Sequence, residues 1–204
     1  MVYKICLVST HGTGKTSLAA FVEGELKRRS VEAKYLGEIA TKAKERGLPI
    51  NRETTLEAQL WIIHSQFRDE LFYSQQRLTP PNYQTLICDR GPDNYCYLKH
   101  NLGKDDEYAL AITLGHIKKF PYNQIYLLPI INNSLPTGSG TRDLDLDFRQ
   151  HMDIEIRNFL IKYNILHTEL PLPSSHDTYR QEWIKIIVNN TLKDLQKPSD
   201  LLIP

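Results

Sequence analysis

Eight residues near the amino end, Ser9-Thr10-His11-Gly12-Thr13-Gly14-Lys15-Thr16, bring together the groups that grip a polyphosphate. Gly12 and Gly14 permit the positive φ that lets main-chain amides come close to phosphate oxygens. Those amides, with the N-terminus of a following helix, aim donors at the anion. Lys15 adds a cation for the β- and γ-phosphates, and the Thr16 hydroxyl is a hard oxygen ligand for Mg²⁺. The cradle for a nucleoside triphosphate is expected to comprise His11, Gly12, Thr13, Gly14, Lys15, Thr16 and Ser17. The usual pattern G-x-x-x-x-G-K-[ST] opens on glycine. This chain has Ser9 there, and Gly12 is expected to supply part of the lost flexibility.

Other segments offer acids and guanidiniums. Asp89 ends the apolar run Leu86-Ile87-Cys88. An acid at that place in a phosphate-loop protein holds the Mg²⁺ shell, or accepts a hydroxyl proton. Arg90 beside it either grounds that acid or binds substrate. Glu38, after Ala33-Lys34-Tyr35-Leu36-Gly37, is a rival base or a ligand for a sugar hydroxyl. Arg142 in a glycine-bearing loop and Arg149 one to two turns into the next helix have the bidentate donors that stabilise charge on a transferring phosphoryl group. A loop closing over the site, about 130–144, would also exclude water. His11 lies within reach of phosphate, although a lone loop histidine has no pattern of its own. Gln66 and Arg68, on a long helix with Trp61, His64 and Phe67, are candidates for an acceptor wall, while Phe67 fits the core stripe.

Short apolar runs must position these groups. Residues 2–8, 33–37, 85–88, 124–128 and 164–167 read as strands. Between them, helical periodicity covers 16–29, 39–46, 54–76, a helix beginning near Pro92, 105–119 and 145–163, with a last helix capped by Ser174 or Ser175. The inner faces are expected to be Leu18, Phe21, Val22 and Leu26 in the first helix, and Leu56, Leu60, Ile63, Phe67 and Leu71 in the long one. Met152, Ile156, Phe159, Leu160 and Tyr163 line the helix at 145–163, and Ile184, Val188, Leu192 and Leu195 the last. Asp105-Asp106-Glu107 reads as the acidic start of a helix, favoured by its dipole. Strands each followed by helical material give a doubly wound parallel sheet, whose ligands bind beyond the carboxyl ends of the strands. That rule gathers the phosphate loop, Glu38, Asp89-Arg90 and the 130–144 loop on one rim.

The size, 204 residues, suits one domain over the whole chain, 1–204. Twenty-five Lys and Arg against 24 Asp and Glu leave no general attraction for nucleic acid or an anionic membrane. Cys6, Cys88 and Cys96 show no paired spacing, so disulfides and metal ligation are not expected. No apolar window reaches membrane-spanning length, and the first run is too short for a secretion signal, so the expected location is the cytoplasm.

The segments Ser9–Thr16, Glu38 with Ala40, Asp89-Arg90-Gly91, Ile125–Leu128 with Pro129, Gly140-Thr141-Arg142 and Asp147-Phe148-Arg149 occur in an order that resembles small phosphate-loop kinases of the nucleoside and nucleotide kinase group. Within that group the chain most resembles the nicotinamide-riboside kinase domain of bifunctional NAD regulators. The resemblance implies a five-stranded sheet of order 2-3-1-4-5, helices on both faces, and ATP with Mg²⁺. It further implies phosphoryl transfer to a small nucleoside-like or nucleotide-like acceptor. In that reading Lys15, Asp89, Glu38 and Arg142 are catalytic, Thr16 and Asp89 hold the metal, and Arg90, Gln66 and Arg149 bind the acceptor.

Two other classes are compatible with the loop. One is an ATPase or GTPase switch acting through a partner, although no Asn-Lys-x-Asp guanine-reading motif occurs. The other is a 5′-polynucleotide kinase guided by Lys118-Lys119 and the basic residues between Lys42 and Arg52, which the balanced charge disfavours.

Overall fold

A computed structural model describes residues 2–37, 39–50, 53–75, 80–131, 146–173 and 179–196. Glu38, Arg142, the loop from 132 on and Ser174-Ser175 lie outside the described residues. In chain order the elements are β1 (Tyr3–Val8), α1 (Lys15–Arg28), β2 (Ala33–Leu36), α2 (Ile39–Glu45), α3 (Leu56–Ser74), β3 (Thr85–Cys88), α4 (Asp93–Leu102), α5 (Glu107–Lys119), β4 (Gln124–Leu127), α6 (Leu146–Lys162), β5 (Thr168–Glu169) and α7 (Tyr179–Gln196).

The strands form one parallel sheet of order β2-β3-β1-β4-β5. Every residue of β1 is buried, as a central strand covered on both faces must be. Its alternation separates the two larger of three apolar clusters among the described residues, the third being Ile39, Ala43 and Ile62 between α2 and α3. Cys6 and Val8 face one side, with Ile63 and Phe67 of α3, Tyr95 to Leu98 of α4, and Met152, Ile156 and Leu160 of α6. Tyr3, Ile5 and Leu7 face the other, with Leu18, Val22 and Leu26 of α1 and Trp183, Ile187 and Val188 of α7.

Helix ends explain where the strands start. Asn164 takes φ +51 after α6, and the Ile165 and Asn164 amides donate to the Leu160 and Ile161 carbonyls. This left-handed cap, with Ile165 folded back into the core, uses up the segment expected to be the fifth strand. The strand therefore forms at Thr168–Glu169, not 164–167. Ser30 (φ +61) and Val31 close α1 in the same way, onto Lys27 and Leu26.

Two expected core residues lie outside. Phe21 is 50% exposed because it sits about 120° round α1 from the stripe of Leu18, Ala19, Val22 and Leu26. Leu71 of α3 is 37% exposed, and the inner stripe there includes Gln59, Gln66 and Glu70. Gln59 donates to Thr54 Oγ1 at 2.9 Å, and Glu70 accounts for the rest of the polar stripe. It takes Lys4 Nζ at 3.1 Å, His116 Nε2 at 3.1 Å, Tyr122 Oη at 2.7 Å and Gln66 Nε2 at 3.1 Å, all within the core. Phe67 is core, as expected, stacked on His116 with ring centroids 3.8 Å apart. Asp106 caps α5, accepting from the Ala109 amide at 2.8 Å. All three cysteines are buried and free.

Candidate functional site

The phosphate loop leaves β1 at the point where successive strands are added on opposite sides. The crevice of a doubly wound sheet opens there. Gly12 (φ +70) and Gly14 (φ +87) both take the left-handed conformation, and Gly14 is the N-cap of α1. No side chain caps that helix start, and its first turn has no acid. The loop, with Asp89 and Arg90, lines a recess whose walls are Thr10, His11, Gly12, Thr13, Gly14, Lys15, Thr16, Asp89 and Arg90.

Ser9 needs no positive φ, which removes the expected difficulty with the missing first glycine. Its hydroxyl is fully buried, bonded to the Thr13 hydroxyl and 3.0 Å from Lys15 Nζ. The ammonium also donates to the Ser9 carbonyl at 2.8 Å. Lys15 is thus folded back over its own loop and buried, with the Ser9 carbonyl and hydroxyl among its partners.

Asp89 follows β3, which pairs with β1 through Cys6 and Cys88. The pairing carries its carboxylate to the foot of α1. Asp89 Oδ2 accepts from the Thr16 hydroxyl at 2.6 Å and from Tyr35 Oη at 3.1 Å, while Oδ1 is buried with no hydrogen bond. Carboxylate plus hydroxyl is a hard-oxygen donor set that fits Mg²⁺, and the open Oδ1 is what such an ion would fill. The Tyr35 ring turns back over Gly37, where a Cβ would fall 1.9 Å from its hydroxyl oxygen.

Beyond Asp89 the chain turns tightly. Gly91 packs so closely that a Cβ would lie 2.6 Å from Cys6 Sγ and 2.8 Å from Tyr122 Oη. Its amide donates to Asp93 Oδ1 at 2.8 Å. Asp93 Oδ2 is buried with no hydrogen bond, 3.9 Å from Arg90 Nη1. Burial pushes this carboxyl up from its ordinary range, against the pull of Lys15 and Arg90. Arg90 lies over the Tyr97 ring at 4.1 Å and reaches His11 Nδ1 at 3.4 Å.

Arg149 comes from the first turns of α6. It is 4% exposed, and its Nε donates to the His11 carbonyl at 3.1 Å. Its Nη2 is buried without a hydrogen-bond partner, and burial lowers its readiness to hold a proton. Phe148 stacks on the His11 imidazole at 5.5 Å and 16°.

The structure therefore gathers His11 to Ser17, Asp89, Arg90 and Arg149 at the carboxyl edge of β1 and β3. Gln66 is placed elsewhere: it is 2% exposed and spends its amide on Glu70. Arg68 pairs with Asp69 on the surface. Tyr35, Asp93 and Tyr97 join the site without having been expected there. Asp93 had a local cue, an acid in the first helical turn after Asp89-Arg90-Gly91-Pro92. Tyr35 and Tyr97 had none, because their partners are brought in by sheet pairing and helix packing.

Comparison with known proteins agrees with this geometry. A family model described as an AAA domain matches residues 4–178. No curated protein matches the chain in sequence. A crystal structure of NadR protein in complex with NR superposes with TM-score 0.71 at 15% identity, covering 92% of this chain and 51% of the other. A structure of NadR protein in complex with NAD and AMP-PNP gives TM-score 0.67 at 16% identity, covering 93% and 49%. The chain thus spans about half the length of both proteins.

Proposed function

Because the chain belongs to the AAA-domain family and has its phosphate-loop fold, we propose that it is an ATP-dependent phosphotransferase acting on a small nucleoside-like or nucleotide-like acceptor. The observation that carries this reading is the bond from Thr16 to Asp89. It sets a strand-end acid against the foot of the phosphate loop, beside Lys15 and Arg90, in one recess.

The roles follow from the chemistry of each group. Amides of His11 to Ser17 and the uncapped start of α1 bind the polyphosphate. Lys15 leaves the Ser9 carbonyl for phosphate oxygens. Thr16 and Asp89 would hold Mg²⁺, which neutralises charge on the phosphates when bound. An acceptor oxygen forms the new bond to the γ-phosphorus as the bond to the bridging oxygen breaks. The acceptor proton passes to Asp89 or to Glu38. Arg149, on the loop at His11, and Arg142 stabilise charge on the transferring oxygens. That NadR structures hold NR, NAD and AMP-PNP supports a nucleoside-sized acceptor and an adenine-nucleotide donor, and makes a ribosyl-pyridine one acceptor to try.

The test is a transfer screen with ATP and Mg²⁺ against nucleosides, nucleotides, ribosyl-pyridines and oligonucleotide ends. A phosphorylated small molecule supports the reading. ADP release with no phosphorylated product moves the assignment to a hydrolytic switch.

A further inference from the structure

Two guanidiniums from different parts of the fold converge on one residue of the phosphate loop. Arg90, from the turn after β3, reaches the His11 ring at Nδ1 (3.4 Å). Arg149, from α6, reaches the His11 carbonyl (3.1 Å). A guanidinium only donates, so this contact requires His11 Nδ1 to accept, with any ring proton on Nε2. The ring is packed between Tyr97, at 4.8 Å between centroids, and Phe148, at 5.5 Å. Phe148 is wedged in turn by His100 at 4.9 Å. His11 thus joins the phosphate loop to α4 and α6 at once.

The energetics explain why such a joint is needed. Arg149 is a nearly buried cation with no carboxylate partner among the described residues and with Nη2 unpaired. A buried, uncompensated charge is costly unless something fixes it or a ligand completes it. Arg90 has a competing partner: the Asp93 Oδ2 that lacks a hydrogen bond lies 3.9 Å from its Nη1. Without an acceptor at His11, Arg90 would be drawn toward that acid and away from the loop.

We propose that His11 is a positioning residue: its ring nitrogen and its carbonyl hold Arg90 and Arg149, which arrive on separate elements, beside the phosphate loop. The inference rests on the phosphotransfer reading. It adds that the arginines are set before nucleotide arrives, and that α6 is tied to the loop at this residue.

Two substitutions separate its parts in the full chain. His11→Phe keeps a ring between Tyr97 and Phe148 and deletes the acceptor. His11→Asn deletes the ring and places a carbonyl oxygen near the former Nδ1. With the best acceptor from the transfer screen, His11→Phe is expected to lose roughly 100-fold in kcat, the scale of a misplaced catalytic group. Its AMP-PNP affinity, by calorimetry, should stay within about threefold of the parent. His11→Asn should recover about a third or more of parental kcat. In the unsubstituted protein, nitrogen-15 NMR of labelled histidine should show the His11 ring protonated at Nε2.

Parental kcat in His11→Phe overturns the proposal and leaves ring packing as the only role; equal impairment of the two variants overturns it as well, because restoring the acceptor would then restore nothing. An Nδ1–H ring overturns it irrespective of kinetics. If the unsubstituted protein transfers phosphate to nothing, the kinase reading fails on its own, and the NMR result still decides whether Arg90 is held as described.

Discussion

Replacing Lys15 by alanine puts the phosphate-loop reading under the most direct stress. An ammonium about 4 Å from a phosphate charge is worth about 4 kcal/mol at an effective dielectric constant near 20. Against that, the free protein gives up the bonds from Lys15 to the Ser9 carbonyl and hydroxyl, at 2.8 and 3.0 Å, a net cost of about 1 kcal/mol. The remaining 3 kcal/mol or so corresponds to a loss of about 10²- to 10³-fold in kcat/KM. The same arithmetic makes the folding effect small, about 1 kcal/mol, so the denaturant midpoint should move little. Lys15→Met, which keeps the buried stem and deletes only the charge, should match the kinetic loss. Coupled measurement of ADP formation with an active acceptor gives kcat/KM, and urea unfolding gives the control. A kcat/KM within tenfold of the parent, in a variant that folds normally, would refute the assignment of Lys15 as the phosphate cation.

Three further outcomes are expected. Asp89→Asn keeps the acceptors for Thr16 and Tyr35 but removes the charge at Oδ2 and the open Oδ1, so the Mg²⁺ concentration giving half-maximal turnover should rise at least about tenfold. A Mg²⁺ titration of initial rates checks this. Glu70→Gln leaves buried Lys4 without its counter-charge and should cost about 3–5 kcal/mol in chemical denaturation. Burial alone would raise the Glu70 carboxyl, but the bond from His116 and the charge of Lys4 outweigh it and hold it below the usual glutamate range. Its contribution is therefore full at neutral pH and lost as pH falls through that lowered value, so the variant should also show a shallower acid limb of stability. Arg142→Ala should lower kcat by about 100-fold or more with nucleotide affinity nearly unchanged, seen by comparing steady-state rates with AMP-PNP calorimetry.

The sequence determined the parts of this protein that must be contiguous to work. A polyphosphate needs several successive amides, so Ser9 to Thr16 had to appear as one string, and the string fixed the end of β1 and the start of α1. Strands buried on both faces had to be short apolar runs, so β1, β3 and β4 could be read within a residue of their ends, whereas the sheet order followed only from the family resemblance. Asp89 was legible because it ends one of those runs.

Tertiary structure decided whatever depends on partners far apart in the chain. Lys4 looks like a blemish in β1 until Glu70 arrives from a helix 66 residues away, and the same acid takes the Gln66 amide, which faces the core. Tyr35 meets Asp89 across 54 residues because β2 and β3 pair in register. His11 is an unpatterned loop histidine in the sequence. It becomes the meeting point of Arg90 and Arg149, 79 and 138 residues distant, because α4 and α6 pack over one face of the sheet. Local periodicity records which side of an element faces inward. It holds no record of which charges meet there, since that is set by the angles and offsets at which separate elements pack.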